Sequence, residues 1–264
     1  MRRLAFYAVY SALLFLPAVN LFAQVAGQNI NMVSGTQWPG GDPFLQRQNE
    51  PSFAVSTRNP EHLLAGANDY RTVDIANPQS ADETHDAWLG VFTSMDGGET
   101  WRSVLLPGYP QDNSPTGVAS PLHNYTVATD PTVRAGTHGL FYYSGLAFNR
   151  GSNAPSGVFI ATFQDQNNKS SGNKAIQQIK NGAGNPFQYL NATVIDTGTS
   201  GQFLDKPWIA VDIPRSGRTA TCNINGQTIQ SGYVYLFYTQ FTGSKVNPTS
   251  KIKVVTSSNC GASW

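Results

Sequence analysis

Apolar residues in this chain gather into short aromatic and β-branched runs, separated by polar stretches rich in Gly, Asn, Ser and Thr. Such runs read as strands. Three segments open alike: Glu50-Pro51-Ser52-Phe53-Ala54-Val55, Tyr125-Thr126-Val127-Ala128-Thr129-Asp130-Pro131 and Lys206-Pro207-Trp208-Ile209-Ala210-Val211-Asp212. Each leads through a polar turn to a second run: Leu63-Leu64-Ala65-Gly66-Ala67, Leu140-Phe141-Tyr142-Tyr143-Ser144-Gly145-Leu146 and Tyr233-Val234-Tyr235-Leu236-Phe237-Tyr238. A third run follows in each: Ala87-Trp88-Leu89-Gly90-Val91-Phe92, Gly157-Val158-Phe159-Ile160-Ala161-Thr162-Phe163 and Ile252-Lys253-Val254-Val255. The recurring order of opening, run and run is an internal repeat of antiparallel strands.

Residues 1–23 stand apart from the repeat. Arg2 and Arg3 give a basic start, 4–21 is almost wholly apolar, and Ala23 or Ala26 precedes a candidate cleavage point, the layout of a secretory signal peptide. No Cys stands near that point, so the route to a lipid anchor is absent. An uncleaved anchor helix is the alternative, because the run approaches the length of a membrane span; Pro17 and Asn20 weaken that alternative. The expected organisation is a signal peptide over 1–23, a lead-in over 24–48 and the repeats over 49–264. Cleavage would leave no stable membrane span and a secreted or periplasmic protein.

The first unit closes on Ser94-Met95-Asp96-Gly97-Gly98-Glu99-Thr100-Trp101, a full Ser-x-Asp-x-Gly-x-Thr-Trp pattern. The sequence ends on Ser257-Ser258-Asn259-Cys260-Gly261-Ala262-Ser263-Trp264, the same pattern with Asn for Asp and Ser for Thr. The middle unit carries only Asp165-Gln166-Asn167-Asn168 at that place. The pattern resembles the Asp-box, or BNR repeat, of sialidases, other β-propeller glycosidases and several non-enzymatic propellers. The strings Glu50-Pro51-Ser52 and Asp205-Lys206-Pro207-Trp208 are likewise similar to exported bacterial proteins of the sialidase-like kind.

That resemblance implies an all-β fold, a β-propeller of four-stranded antiparallel blades with about three present and the last incomplete. The blades would run from about residue 49 to 108, from about 124 to 197, and from near 205 onward. On this reading the chain is the N-terminal portion of a longer propeller, since an arc leaves apolar faces open. A complete β-sandwich of similar length is the alternative. The box itself implies a structural turn: Ser94, Asp96, Gly98, Thr100 and Trp101 in the first copy, Ser257, Asn259, Gly261, Ser263 and Trp264 in the second.

Composition and charge narrow the partners. Asp and Glu number 16 against 17 Lys and Arg, which leaves no basic field and argues against nucleic acid. The two cysteines, Cys222 and Cys260, fit an oxidising compartment. In a four-stranded blade they would lie in connections emerging on the same side, and so form a disulfide, with free thiols as the alternative.

Polar and ionic residues concentrate after the second run of the first unit, at Asn68, Asp69, Tyr70, Arg71, Asp74, Asp82, Glu83, His85 and Asp86. Unit junctions add Asn49, Glu50, His123, Asn124, Asp205 and Lys206, and Arg150 follows the second run of the middle unit. A guanidinium grips a carboxylate bidentately, as sialic acid would need, and glycoside hydrolysis commonly uses paired carboxyls or, in sialidases, a Tyr activated by Glu. Arg71, Asp69, Tyr70 and Asp86 are therefore the candidate catalytic set, with Asn49, Glu50, Arg150, Asp205 and Lys206 as candidate ligand contacts. The sialidase opening carries an Arg where this chain has Asn49. The expected function is an exo-alpha-sialidase-like, glycan-directed propeller, with a non-catalytic propeller binding carbohydrate or envelope protein as the alternative. No cofactor is required. Structural calcium is a candidate at Asp69, Asp74, Asp82, Asp86 and the turn at 165–168, whereas His85 and His123 read as surface or packing residues.

Overall fold

The computed structural model describes residues 29–33, 48–72, 75–77, 82–83, 86–166, 185–214, 220–243 and 247–264. The expected signal peptide and most of the expected lead-in lie outside them, as do Asp74, His85, Asn167 and Asn168. The strands in chain order are β1 (Gln48–Val55), β2 (Leu63–Asp69), β3 (Ile75–Asn77), β4 (Asp82–Glu83), β5 (Trp88–Ser94) and β6 (Arg102–Leu105). A short helix α1 (Pro115–Ala119), capped by Ser114 Oγ on Gly117 N, leads to β7 (Val127–Ala135), β8 (Leu140–Phe148), β9 (Pro155–Asp165) and β10 (Phe187–Thr199). The remainder is β11 (Gln202–Val211), β12 (Thr221–Ile224), β13 (Gln227–Gln230), β14 (Val234–Thr242) and β15 (Thr249–Ser257).

These strands do not form a propeller. The described residues build a four-stranded sheet β1-β2-β5-β6, a seven-stranded sheet β15-β14-β11-β10-β9-β8-β7 and the two-stranded pairs β12-β13 and β3-β4, and none of the sheets closes on itself. The reading of separate four-stranded blades is corrected at a definite place. β10 runs for 13 residues and turns back through residues 200–201 into β11, pairing Thr199 with Gln202. No linker parts the second unit from the third, so the two share one sheet.

Alternation of side chains stacks the strands in three layers. Phe141, Tyr143 and Ala147 of β8, with Phe159, Ala161 and Phe163 of β9, pack against Leu64, Trp88, Leu89 and Val91 of the four-stranded sheet. Leu140, Tyr142 and Leu146, with Val158 and Ile160, point the other way, onto Leu204, Ile209, Val234 and Leu236. Strands β8 and β9 are thus buried on both faces, while β15 is largely exposed. Gly66 lets the first two layers approach: a Cβ there would lie 2.6 Å from the Tyr143 ring, whose hydroxyl donates to Gly90 O at 2.9 Å.

Polar groups pin the layers where apolar packing ends. Asp165 Oδ2, at the end of β9, accepts from Ser56 Oγ at 2.6 Å and meets His62 Nδ1 at 3.0 Å, with all three residues buried. Both partners use the same carboxylate oxygen, so Ser56 and His62 are not arranged as nucleophile and base. Asp69 and Arg71 form an ion pair almost wholly removed from water: Arg71 Nη2 donates to Asp69 Oδ2 at 2.7 Å and to Val104 O at 3.2 Å.

The two box motifs fold into matching turns. Ser94 Oγ donates to Asp96 Oδ1 at 2.8 Å, Thr100 N donates to the same oxygen at 2.9 Å, and Trp101 Nε1 donates to Gly98 O at 2.9 Å. In the second turn Ser257 Oγ and Ser263 N donate to Asn259 Oδ1 at 2.9 and 3.0 Å, and Trp264 Nε1 reaches Gly261 O at 3.1 Å. Cys260 takes the left-handed position (φ 58°) that Gly97 holds in the first (φ 72°). A disulfide joins it to Cys222 of β12 across 38 residues, a closure that chain entropy values at about 4 kcal/mol. The likeness to Asp-box proteins stops at these turns, which stabilise themselves without imposing a blade.

Among the described residues no helix is long and apolar enough to cross a membrane.

Two stability outcomes are expected. Gly66→Ala forces a methyl into the Tyr143 ring and should lower the free energy of unfolding by about 1–3 kcal/mol, measured by urea denaturation; an unchanged midpoint would refute the close approach. Partial burial works to raise the Asp96 carboxyl, but hydrogen bonds from Thr100, Ser94 and the backbone outweigh it and hold the group below its ordinary value. Its contribution is therefore present above the unfolded-state pKa of about 3.9 and lost as pH falls through the lower folded-state value. Asp96→Asn, which copies Asn259, should flatten the fall of melting temperature on acidification.

Candidate functional site

Each unit opens on a strand interrupted at the same place. The pairing register shifts between Asn49 and Ser52 in β1, between Thr129 and Thr132 in β7, and between Asp205 and Trp208 in β11. At each bulge a polar residue with positive φ precedes a proline: Glu50 (52°) before Pro51, Asp130 (60°) before Pro131, Lys206 (47°) before Pro207. Proline removes a ladder N–H and disfavours helical conformations in the residue before it, and a left-handed non-glycine residue costs about 1–2 kcal/mol. Three such residues at equivalent points mark a place held against strain, and strained bulges concentrate at functional sites.

The three bulges converge. Lys206 Nζ lies 3.1 Å from Glu50 Oε1 and 3.2 Å from Asp130 Oδ1. Buried Asn68, on β2, completes the arrangement: its Nδ2 donates to Asn49 Oδ1 at 2.8 Å and Glu50 Oε2 at 3.1 Å, while its Oδ1 accepts from Asp130 N at 2.8 Å and Thr129 Oγ1 at 3.0 Å. Asp205 Oδ1 accepts from Lys206 N at 2.9 Å. Cross-links between the strands set this geometry, with Val133 N donating to Ser52 Oγ at 2.9 Å and Thr132 Oγ1 to Pro207 O at 3.0 Å. Partial burial works against the Lys206 charge, yet Glu50 and Asp130 hold its ammonium above the ordinary value. The Lys206 side chain is 63% exposed and Glu50 45%, whereas Asp130 is 11% exposed, so an ionic rim stands on a shielded base.

The residues singled out from sequence divide into three places. Asn49, Glu50, Asp205 and Lys206 come together in this cluster. Asp69 and Arg71 lie on the opposite side of β2, in the interior, and half-buried Tyr70 follows the strand. Asp86 and Arg150 pair with each other at the surface, through Arg150 Nε and Asp86 Oδ2. No hydrogen bond or ion pair joins an arginine to the cluster among the described residues. His123 is half-buried within the turn Pro121–Asn124. The described residues contain no group of three or more His, Cys, Asp or Glu able to hold a metal. Asn68 stood among the candidate contacts of the first unit, whereas Thr129 and Asp130 escaped the sequence reading as site residues. Asp130 had a signal, because Asp130-Pro131 matches Glu50-Pro51 and Lys206-Pro207.

No protein-family model matches the chain, and no curated protein matches it. Among solved structures it is similar to a Trypanosoma rangeli sialidase in complex with the inhibitor DANA, with 10% identity and a TM-score of 0.34, over 80% of this chain and 31% of that one. A likeness of that order carries no argument, and the chain spans about a third of the length of that protein. The sialidase-like expectation and its non-catalytic propeller alternative both presume separate blades. The continuous seven-stranded sheet overturns that premise, and neither is retained.

If the bulges are kept for their side chains, glycine should relieve the strain without harming the fold. Lys206→Gly is expected to leave the unfolding free energy within about 1 kcal/mol of the parent, the left-handed strain offsetting the entropy of glycine. A loss above about 2 kcal/mol in urea denaturation would instead make Lys206 a structural residue.

Proposed function

We propose that the chain is an exported binding protein that holds a glycan at the Glu50–Asp130–Lys206 cluster, and that residues 1–23 are removed on export. The observation that carries this reading is the meeting of three strained pre-proline bulges in one part-exposed ionic cluster. Sugar hydroxyls both donate and accept, and the cluster offers both kinds of partner. Glu50, Asp130 and Asp205 carry carboxylate acceptors, Lys206 carries donors, and Asn49 carries both. Asn68 and the cross-strand bonds fix the cluster beforehand, which lowers the ordering cost of binding. Export is supported by the layout of the leader and by the disulfide, since such bonds persist in oxidising compartments. A structural calcium ion remains a separate proposal: EDTA should lower the melting temperature if one is bound, and an unchanged melt removes it.

The test is titration calorimetry of the full chain, after leader removal, against a panel of neutral and acidic oligosaccharides. Lys206→Ala and Glu50→Gln should each weaken the tightest interaction by about tenfold or more, roughly 1.4 kcal/mol, with melting temperatures close to the parent. Absence of glycan binding, or binding indifferent to both substitutions, would overturn the proposal.

A further inference from the structure

We propose that a cavity between the β5–β6 edge and the ends of β9 and β10 is a second binding site, for an uncharged aromatic molecule bearing one carbonyl or hydroxyl oxygen. The cavity measures about 670 Å³, inside the range of small-molecule sites. Its aromatic wall is made by Tyr109, Phe163, Phe187 and Tyr189. Phe163 and Tyr189 meet edge to face at 5.4 Å between centroids. Such a wall suits a flat apolar ring.

Two polar groups in the wall are not fully spent. Ser103 Oγ is buried and has no hydrogen-bond partner among the described residues. Arg71, 2% exposed, engages Asp69 and Val104 O through Nε and Nη2, which leaves Nη1 without a hydrogen bond to the described residues. A buried hydroxyl left unpaired is costly, so an oxygen acceptor on the ligand answers Ser103 Oγ, with Arg71 Nη1 as a further donor in the wall.

Charge decides against an anion. The Arg71 charge is already matched by Asp69, Asp112 in the wall offsets the exposed Arg102, and desolvating a carboxylate among them is costly. Asp112 is itself occupied by Gly108 N and Ser114 N, both at 3.0 Å, and so is not waiting for a cation. Burial, reinforced by Asp112 and only partly opposed by Arg71, raises the Tyr109 hydroxyl above its ordinary value; burial likewise raises that of Tyr189, so both stay protonated. The site is distinct from the ionic cluster, because Asn68 and Asp69, neighbours on β2, face opposite ways.

Benzophenone, an uncharged aromatic ketone that cross-links on illumination, is a direct probe. With the full chain, labelling should saturate and map by mass spectrometry to peptides spanning 102–109 or 185–189. Ser103→Phe, which fills the cavity, should cut labelling by about tenfold, and 4-benzoylbenzoate, the same body with a carboxylate, should compete at least tenfold more weakly. Labelling that does not saturate, that maps elsewhere such as the exposed Trp208 and Phe237, that persists in a folded Ser103→Phe, or that the anion displaces equally well would overturn the proposal. Should Ser103→Phe fail to fold, the map and competition on the parent chain still decide.

Discussion

Burial of both faces of β8 and β9 is the constraint on which the structure rests. Their alternate side chains enter two different cores, so neither strand can slip by one residue without exchanging both sets. Tyr143 shows how tightly this is drawn: its ring lies against Gly66 and its hydroxyl is bonded to Gly90 O. The four-stranded sheet and the β11-β14-β15 arm each use one face against this centre. β15 stays at an open edge, with Ile252 and Val254 exposed.

The ionic cluster depends on that rigidity. A left-handed residue before proline would relax if the strands around it could shift, and here three of them are held at once. Cross-strand bonds from Val133 N to Ser52 Oγ and from Thr132 Oγ1 to Pro207 O fix the spacing of β1, β7 and β11, which do not share ladder bonds with one another. Lys206 is then placed between two carboxylates while most of its side chain remains in water. Exposed ion pairs contribute little to stability, so the arrangement makes more sense as presentation of side chains than as reinforcement.

Local chemistry was legible in the sequence to the extent that it was local. The box turns close through their own side chains, so Ser94, Asp96 and Trp101 announce the turn wherever the surrounding sheet goes. The recurring strand openings single out Asn49, Glu50, Asp205 and Lys206, which the bulges bring near one another. Long-range pairing was not legible. The inference from box to blade failed because the direct return of β10 into β11 at residues 200–201 merges two units into one sheet, and a two-residue turn is a weak signal beside a repeat motif. Arg71 illustrates a second limit: an Asp-x-Arg triplet reads equally as a catalytic group or as a buried pair, and only the three-dimensional contacts place it inside. The cavity wall joins β5–β6 to β9–β10 across nearly a hundred positions, so no window of sequence could reveal it.

Native-state hydrogen exchange tests the central claim most directly. The amides of β8 and β9 should exchange last, with protection approaching that of global unfolding, while β1, β6 and β15 at the sheet edges open earlier. Exchange of β8 and β9 at the same rate as β15 would contradict a structure organised around a centre buried on both sides.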